Sequence, residues 1–226
     1  MTCLLRAAAL LIDLDGTLVD SHDAIVRAWH RWAALRAADT TVIWPIMPGR
    51  TAGAVMRQVR PDLPEAVLAA DQAELLEWQV ADTDGVTALP GARSLLTALP
   101  ADRWAVVTSG SGPLALARLR AARLPRPSVL IGCDTLTTGK PHPAGYLAAA
   151  AQLGVAPGRC LVIEDSAAGI EAGHAAGMRV LTVPPAPADS AMLHLPGLDR
   201  LRLEGRDHDG SLVLAAAGNR VIRGER

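Results

Sequence analysis

A short aliphatic run that ends in two carboxylates constrains the fold of this chain more than any other feature. Residues 10–12 have the composition of a buried strand, and Asp13 and Asp15 follow them directly. A buried carboxylate is costly unless it is paired or binds a cation. The rest of the fold must therefore bring positive charge to the end of this strand.

The size and charge of the chain limit the classes of protein it can be. Its 226 residues, of which 50% are hydrophobic, suffice for one large domain or a core with a smaller one. A formal net charge of -1 provides no general attraction to nucleic acid or anionic membranes, so we expect neither as a partner. No apolar run approaches the roughly 20 residues needed to cross a bilayer.

The N-terminal segment and the cysteines favour a cytoplasmic protein. Asp13 interrupts the N-terminal apolar run, which is better interpreted as a first strand than as a signal peptide. Cys3, Cys133 and Cys160 lack the CxxC spacing of structural zinc sites, and we expect them to be buried small residues.

The order of patterns along the chain predicts an α/β fold with an insertion. Residues 20–86 have helical periodicity, whereas short aliphatic runs alternate with helices after residue 90, in WAVVTSG, SVLIG, RCLVIEDS and MRVLTV. This alternation is typical of a doubly wound, Rossmann-like parallel sheet. Because the first strand precedes the helical segment, that segment is predicted to be inserted into the sheet domain.

Polar side chains follow the predicted strands where ligands bind in open α/β sheets. The second run ends in Thr108, Ser109 and Gly110, and a later one ends in Glu164 and Asp165. Lys140 precedes a helix. Together with the two carboxylates of the first strand, these residues are predicted to form one site.

The chemistry of this predicted site suits phosphoryl transfer. Asp13 and Asp15 lie on the same side of the strand and repel each other, so Mg²⁺ bound with the help of Asp165 is expected to relieve the repulsion. Lys140 and the Thr108 hydroxyl can bind phosphoryl oxygens. Asp13 could attack phosphorus, while Asp15 protonates the departing alcohol and then activates water.

Four segments, DLDGTLVDS, VVTSG, GKPHP and VIEDSAAGIEAGHAAGM, resemble the ordered motifs of the haloacid dehalogenase superfamily, in its phosphatase branch. The resemblance implies that Asp13 is the nucleophile and Asp15 the acid/base, with the Asp15 backbone carbonyl at the metal. It further implies that Thr108 and Lys140 bind phosphate and that Asp165, with Glu164 beside it, is the acidic metal ligand. Ser109 and Gly110 complete the predicted phosphate-binding turn, and Asp13 and Asp15 complete the predicted metal site.

The resemblance also implies a small helical cap over residues 18–87, inserted into a core formed by residues 1–17 and 88–226. Within it, MPGRTAGAV is similar to a substrate-specificity loop, which makes Gly49 and Arg50 the candidate cap contacts with substrate. The histidine often found before that glycine is replaced by Pro48. Asp20 and Ser21 are interpreted as the N-cap of the first cap helix.

The function predicted is magnesium-dependent hydrolysis of a small phosphomonoester, with a sugar or polyol phosphate preferred, through an aspartyl-phosphate intermediate. A phosphohexomutase resembling β-phosphoglucomutase is the alternative, although Ile25 stands where that relative carries a cap histidine. Hydrolysis of phosphoglycolate or of a nucleotide remains an alternative activity. A dehalogenase is disfavoured, because that branch does not keep the second aspartate, which is Asp15 here. A noncatalytic binding protein would not need the full set of charged residues. The predicted partner is a small phosphorylated metabolite. The sequence does not determine the oligomeric state, and a monomer is compatible with it.

The segment after Pro184 carries no predicted chemistry. Its pattern suggests a loop and a short edge strand, followed from residue 210 by a hairpin or a partly mobile tail.

Overall fold

The computed structural model describes residues 2–186 and 193–217, in which a six-stranded parallel sheet forms the centre. The strands in chain order are β1 Thr2–Ala7, β2 Ala9–Ile12, β3 Val19–Asp20, β4 Thr87–Ala88, β5 Trp104–Val107, β6 Val129–Ile131, β7 Cys160–Glu164, β8 Arg179–Thr182, β9 Leu193–His194, β10 Leu201–Arg206 and β11 Leu212–Ala217. The central sheet has the order β6-β5-β2-β7-β8-β9. The α/β fold class with a doubly wound parallel sheet is thus confirmed.

Eight α-helices accompany these strands in the described part of the chain. In chain order they are α1 His22–Arg36, α2 Thr40–Ile46, α3 Ala52–Val59, α4 Glu65–Ala81, α5 Ala92–Ala98, α6 Gly112–Ala121, α7 Ala144–Gln152 and α8 Ala167–Ala175. No helix among them is long and apolar enough to span a lipid bilayer. Of the three cysteines only Cys160 is fully buried, so the expectation of burial is wrong for Cys3 and Cys133, which are half-buried.

The first predicted strand is in fact two strands that belong to different sheets. Strand β1 alternates between exposed and buried residues and pairs antiparallel with β11 in a separate three-stranded sheet. Strand β2 is buried throughout and lies between β5 and β7. A strand covered on both faces has no polar alternation, so hydrophobicity alone did not reveal the change of sheet after Ala7.

Two hydrophobic clusters cover the faces of the central sheet. Leu10 and Ile12 of β2 belong to one cluster, and Ala9 and Leu11 to the other. This alternation is the normal geometry of a strand packed on both sides. It fixes β2 in the middle of the core and holds Asp13 at its carboxyl end.

Helices α1 to α4, here called the helical block (residues 22–81), have a third hydrophobic cluster of their own. Trp29 and Trp32 are fully buried in it, and their rings meet edge to face. At its base, β3 pairs antiparallel with β4, so the chain enters and leaves the block side by side. The division at residues 18 and 87 stays a prediction, and these paired strands lie at those two positions.

The C-terminal pattern forms an edge strand and a hairpin. Strand β9 pairs with β8 at the edge of the central sheet, while β10 and β11 pair antiparallel and continue the small sheet begun by β1. Parts of the predicted loop and tail, residues 187–192 and 218–226, lie outside the described residues.

Candidate active site

The predicted catalytic residues converge at the carboxyl end of the central sheet. Asp13 follows β2, Thr108 follows β5 and Glu164 ends β7, while Lys140 lies in the loop before α7. The Asp13 amide donates a hydrogen bond to the Ile163 carbonyl at 3.0 Å, which continues the pairing of β2 with β7. Adjacent parallel strands thereby bring side chains from distant parts of the sequence together.

Lys140 is buried beneath the site and pairs with two carboxylates. Its Nζ lies 2.5 Å from Asp13 Oδ1, and it also donates to Glu164 Oε1. Burial alone would lower the pKa of Lys140, but the charges of Asp13 and Glu164 outweigh it and raise that pKa well above its ordinary value. The lysine is therefore a permanent cation that orients the carboxylate of Asp13.

Glu164 is completely buried, and both of its oxygens are already used by protein donors. Besides Lys140, the Tyr146 hydroxyl donates to Oε1 at 2.9 Å. Oε2 accepts from the backbone amides of Asp165 and Ser166, each at 3.0 Å, and from the Ser166 hydroxyl at 2.9 Å. Glu164 is thus placed to hold Lys140 and the turn into α8, which weakens its prediction as a direct metal ligand.

An acidic cluster at this point can hold a metal ion. Asp13, Glu164 and Asp165 offer carboxylate oxygens that lie within 4.8 Å of one another. Burial, and next the charge of Glu164, raise the pKa of Asp13 well above its usual range and that of Asp165 to about 7. One lysine cannot neutralise three carboxylates, and a hard divalent cation bound by oxygen ligands fits this surplus of negative charge.

The loop after β2 has a backbone shape that allows Asp165 to approach closely. Gly16 has φ +87°, and a Cβ atom there would lie 2.2 Å from Asp165 Oδ2. Any larger residue would therefore displace the Asp165 carboxylate. The Thr17 hydroxyl donates to the other Asp165 oxygen at 3.3 Å, so this loop positions the acidic cluster.

The Thr108-Ser109-Gly110 turn lies at the same edge. Thr108 is buried, and its hydroxyl oxygen accepts a hydrogen bond from the Gly110 amide at 3.0 Å. The Ser109 hydroxyl instead donates to the Gly49 carbonyl of the helical block at 2.6 Å. The turn thus places the Thr108 hydroxyl at the strand ends that also carry Asp13, and through Ser109 it binds the Gly49 loop of the helical block.

The candidate specificity residues Gly49 and Arg50 lie where the block meets the sheet domain. Gly49 has φ +73°, and a Cβ there would lie 2.2 Å from Ser166 Oγ, so only glycine allows this approach. Arg50 lines the cavity, but its Nη1 donates to Gln58 Oε1 at 2.7 Å on the exposed side. The structure thus brings Gly49 to the site and leaves the Arg50 guanidinium at its margin.

A cavity of about 650 Å³ lies between the strand ends and the helical block. Asp13, Asp15, Asp165 and Thr108 line its floor, whereas Lys140 lies behind Asp13 and is not among the described residues that line it. The apolar part of the wall includes Ile25, Trp29, Met47, Leu75, Leu76 and Leu114. His22, Gln72 and Gln79 add polar groups from the block. A cavity of this size accommodates a small ligand.

Asp15 lies apart from the acidic cluster and has partners that sequence analysis missed. The Ser21 hydroxyl donates to Asp15 Oδ1 at 2.6 Å, and Arg118 Nη1 forms an ion pair with the same oxygen at 2.7 Å. Ser21 does occupy the N-cap position of α1, but its side chain makes no capping hydrogen bond. The interpretation of Ser21 as a capping side chain is therefore wrong, because its hydroxyl is directed to Asp15 and accepts no hydrogen bond from the first amides of α1.

One signal in the sequence could have revealed Arg118. The buried residues of α6 are Leu114, Ala115, Arg118 and Leu119, a spacing that forms one helix face. A charged residue on the inward face of an amphipathic helix requires a buried partner. The identity of the partner of Arg118 depends on how the helices pack, and the hydrophobic pattern of α6 gives no information about that packing.

The sequence and the fold of this chain are similar to those of known proteins. The family model of the haloacid dehalogenase-like hydrolases matches residues 7–177. Hexitol phosphatase A of Escherichia coli is 42% identical over 192 residues, which cover 84% of this chain and 88% of that protein. Glycerol-1-phosphate phosphohydrolase 1 of Saccharomyces cerevisiae is 30% identical, with 79% and 75% covered. The crystal structure of a β-phosphoglucomutase from Clostridium difficile has a similar fold, with a TM-score of 0.77, 22% identity, and 87% and 93% coverage.

Proposed function

This chain belongs to the haloacid dehalogenase-like hydrolases and is a phosphoric monoester hydrolase, and we propose that it hydrolyses a small sugar or polyol phosphate with Mg²⁺. The single observation that carries the proposal is the carboxylate cluster of Asp13, Glu164 and Asp165, in which Asp13 and Asp165 line the cavity floor and Lys140 pairs with Asp13 and Glu164 behind it. Such a surplus of buried carboxylate suits a divalent cation and a phosphoryl group bound together.

In the first step, an oxygen of Asp13 forms a bond to phosphorus, and the bond from phosphorus to the ester oxygen breaks. Asp15 gives its proton to that oxygen, so the product leaves as a neutral alcohol. Lys140 holds Asp13 through the 2.5 Å ion pair and fixes the direction of attack. The Thr108 hydroxyl is available to donate a hydrogen bond to a phosphoryl oxygen.

In the second step, water attacks phosphorus, and the bond between phosphorus and Asp13 breaks. Asp15, now a carboxylate, accepts the water proton and is ready for the next cycle. Asp165, Asp13 and the backbone carbonyl of Asp15 are the proposed ligands of Mg²⁺, and the bound ion would supply positive charge opposite the phosphoryl oxygens. Glu164 acts through Lys140.

The walls of the cavity support a substrate with a short hydroxylated chain. Gln72 and His22 can exchange hydrogen bonds with hydroxyl groups, while the apolar residues exclude water from the reaction. The relatives named hexitol phosphatase A and glycerol-1-phosphate phosphohydrolase 1 support the same substrate class. Gly49 and Arg50 are the proposed contacts from the loop of the helical block.

A panel of phosphate esters tests this proposal. It includes hexitol phosphates, glycerol 1-phosphate, hexose phosphates, phosphoglycolate and a nucleotide, each with Mg²⁺ and with a chelator. We expect phosphate release that depends on Mg²⁺ and is fastest for a hexitol or glycerol phosphate. A preference for phosphoglycolate or the nucleotide would contradict the substrate class, and release indifferent to the chelator would contradict the role of the metal.

A second assay separates hydrolysis from mutase chemistry. The protein is given β-glucose 1-phosphate with a catalytic amount of the bisphosphate. We expect no glucose 6-phosphate, because Ile25 lines the cavity and has no group that transfers protons. Formation of glucose 6-phosphate faster than orthophosphate would favour the mutase instead.

A further inference from the structure

We propose that Arg118, held by Gln79 of the helical block, positions the side chain of Asp15 for its acid/base role. The inference rests on the proposed function, because it assigns to Asp15 the proton transfer described above. Arg118 belongs to α6 of the sheet domain, and Gln79 belongs to α4 of the block. The two helices thus meet next to the residue that handles the proton.

The contacts of Asp15 leave one oxygen restrained and the other available. Oδ1 accepts the Ser21 hydroxyl at 2.6 Å and pairs with Arg118 Nη1 at 2.7 Å. Within the described ranges, 2–186 and 193–217, Oδ2 forms no side-chain hydrogen bond. Because Asp15 lines the cavity, Oδ2 is the oxygen that can carry the proton to and from the substrate.

Arg118 is in turn held from the helical block. Its Nη2 donates to Gln79 Oε1 at 2.8 Å, and the two side chains are only 3% and 7% exposed. The position of α4 therefore fixes the guanidinium, and the guanidinium restrains Asp15. A displacement of the block would release Arg118 and, with it, the orientation of the carboxylate.

The state of Arg118 indicates a role other than stability. Its Nε is buried and has no hydrogen-bond partner in the described part of the chain. A buried guanidinium with an unpaired N–H has an uncompensated desolvation cost, and a buried ion pair is weak evidence for a stabilising role. The ion pair with Asp15 accounts for a charge in this position.

The test measures only the first step, with enzyme in excess over substrate, as the rate at which the alcohol is released. It compares the best alkyl phosphate of the panel with p-nitrophenyl phosphate, whose leaving group departs without a proton. We expect Arg118→Met to slow alkyl phosphate cleavage about 10- to 100-fold, part of the 10²- to 10⁴-fold that general acid catalysis contributes. Cleavage of the nitrophenyl ester should change by less than about 3-fold, since it needs no acid.

Two further variants make the result specific. Gln79→Leu should show the same selective loss by a smaller factor, because Arg118 stays charged but is no longer held. Arg120→Met, the same substitution at an exposed position of α6, should behave like the wild type. Thermal denaturation shows that each variant is folded.

Equal losses on both esters would overturn the inference, because they would indicate a general distortion of the site. A Gln79→Leu variant with wild-type rates would overturn it as well. Failure of the proposed function looks different: the wild-type protein itself would then cleave no alkyl phosphate.

Discussion

Two clusters of buried charged groups in the described part of the chain differ in charge balance. In the helical block, Asp71 is 3% exposed and accepts the Trp32 indole N–H at 2.8 Å and the Arg36 guanidinium at 2.5 and 2.8 Å. In the sheet domain, Asp13 shares a single lysine, Lys140, with Glu164, and the Asp165 carboxylate belongs to the same cluster. The first cluster is neutral overall, whereas the second has an excess of negative charge.

The pKa values of the two aspartates differ accordingly. Hydrogen bonds from Arg36 lower the pKa of Asp71, against the effect of its burial. Burial and the charge of Glu164 raise the pKa of Asp13 well above its usual range. A balanced cluster stabilises the fold, whereas an unbalanced one is kept at a cost and is suited to bind a cation.

The largest expected effect is that of Asp13→Asn on activity. The amide is a far weaker nucleophile, so we expect kcat on the best substrate to fall roughly 10³-fold or more. Without metal, the thermal midpoint should stay the same or rise, because one of the repelling charges is removed. Activity within about tenfold of the wild type would contradict the nucleophilic role of Asp13.

The second-largest expected effect is that of Mg²⁺ on thermal stability, which should depend on the cluster around Asp13 and not on the one around Asp71. At a Mg²⁺ concentration about 100 times its Kd, we expect the wild-type thermal midpoint to rise by roughly 5–10 °C. Asp165→Asn should lose most of this rise, whereas Asp71→Asn should keep it. Differential scanning calorimetry with and without Mg²⁺ measures both variants, and an unchanged rise in Asp165→Asn would exclude that residue as a ligand.

An aspartate-to-asparagine substitution at Asp71, in the balanced cluster, should lower the stability of the fold rather than the activity. Asp71→Asn removes the charge that pairs with Arg36, and we expect the thermal midpoint to fall by roughly 5 °C, with little change in kcat/KM. Because the pKa of Asp71 is lower in the folded state, its stabilising effect is complete above the unfolded pKa of about 4 and is lost as the pH falls further.

Thermal denaturation of the wild type and of Asp71→Asn at several pH values tests this pH dependence of stability. The difference between wild type and Asp71→Asn should shrink below pH 4, and a difference that grows with acidity would contradict the account. Asp62→Asn, which breaks the exposed pair with Arg60, is the matched control and should leave the midpoint unchanged.

The smallest expected effect concerns Arg50. Its guanidinium binds Gln58 at the margin of the cavity, so we expect Arg50→Ala to lower kcat/KM for the best sugar or polyol phosphate only about 3- to 10-fold. A small generic ester should be affected less. Steady-state kinetics on both esters measure this difference. Equal losses of kcat/KM on the two esters would indicate a folding defect.

The parts of this molecule that could be predicted from sequence are those that local rules control. Asp13, Thr108 and Asp165 come together because the ends of adjacent parallel strands lie at one edge of a sheet. The same rule underlies the predicted parallel strands. Lys140 could be included because it lies in a loop at that edge.

The remaining contacts depend on how helices pack, which periodicity does not reveal. The pairing of Arg118 with Asp15 requires α6 to lie against α4, and the donation of Ser21 to Asp15 overrides its expected capping role. Similarly, the change of sheet after Ala7 depends on pairing with β11, more than 200 residues away in sequence. The cavity wall from the helical block is likewise a product of tertiary structure.

The covalent role of Asp13 can be tested most directly by trapping the phosphoenzyme. Asp15→Asn is mixed with p-nitrophenyl phosphate and Mg²⁺, quenched in acid, and digested for peptide mass spectrometry. Since the nitrophenolate leaves without an acid but water attack needs a base, we predict one phosphoryl group per chain, on Asp13. Release of nitrophenol with no phosphoryl group on the protein, or with that group on another residue, would contradict the account.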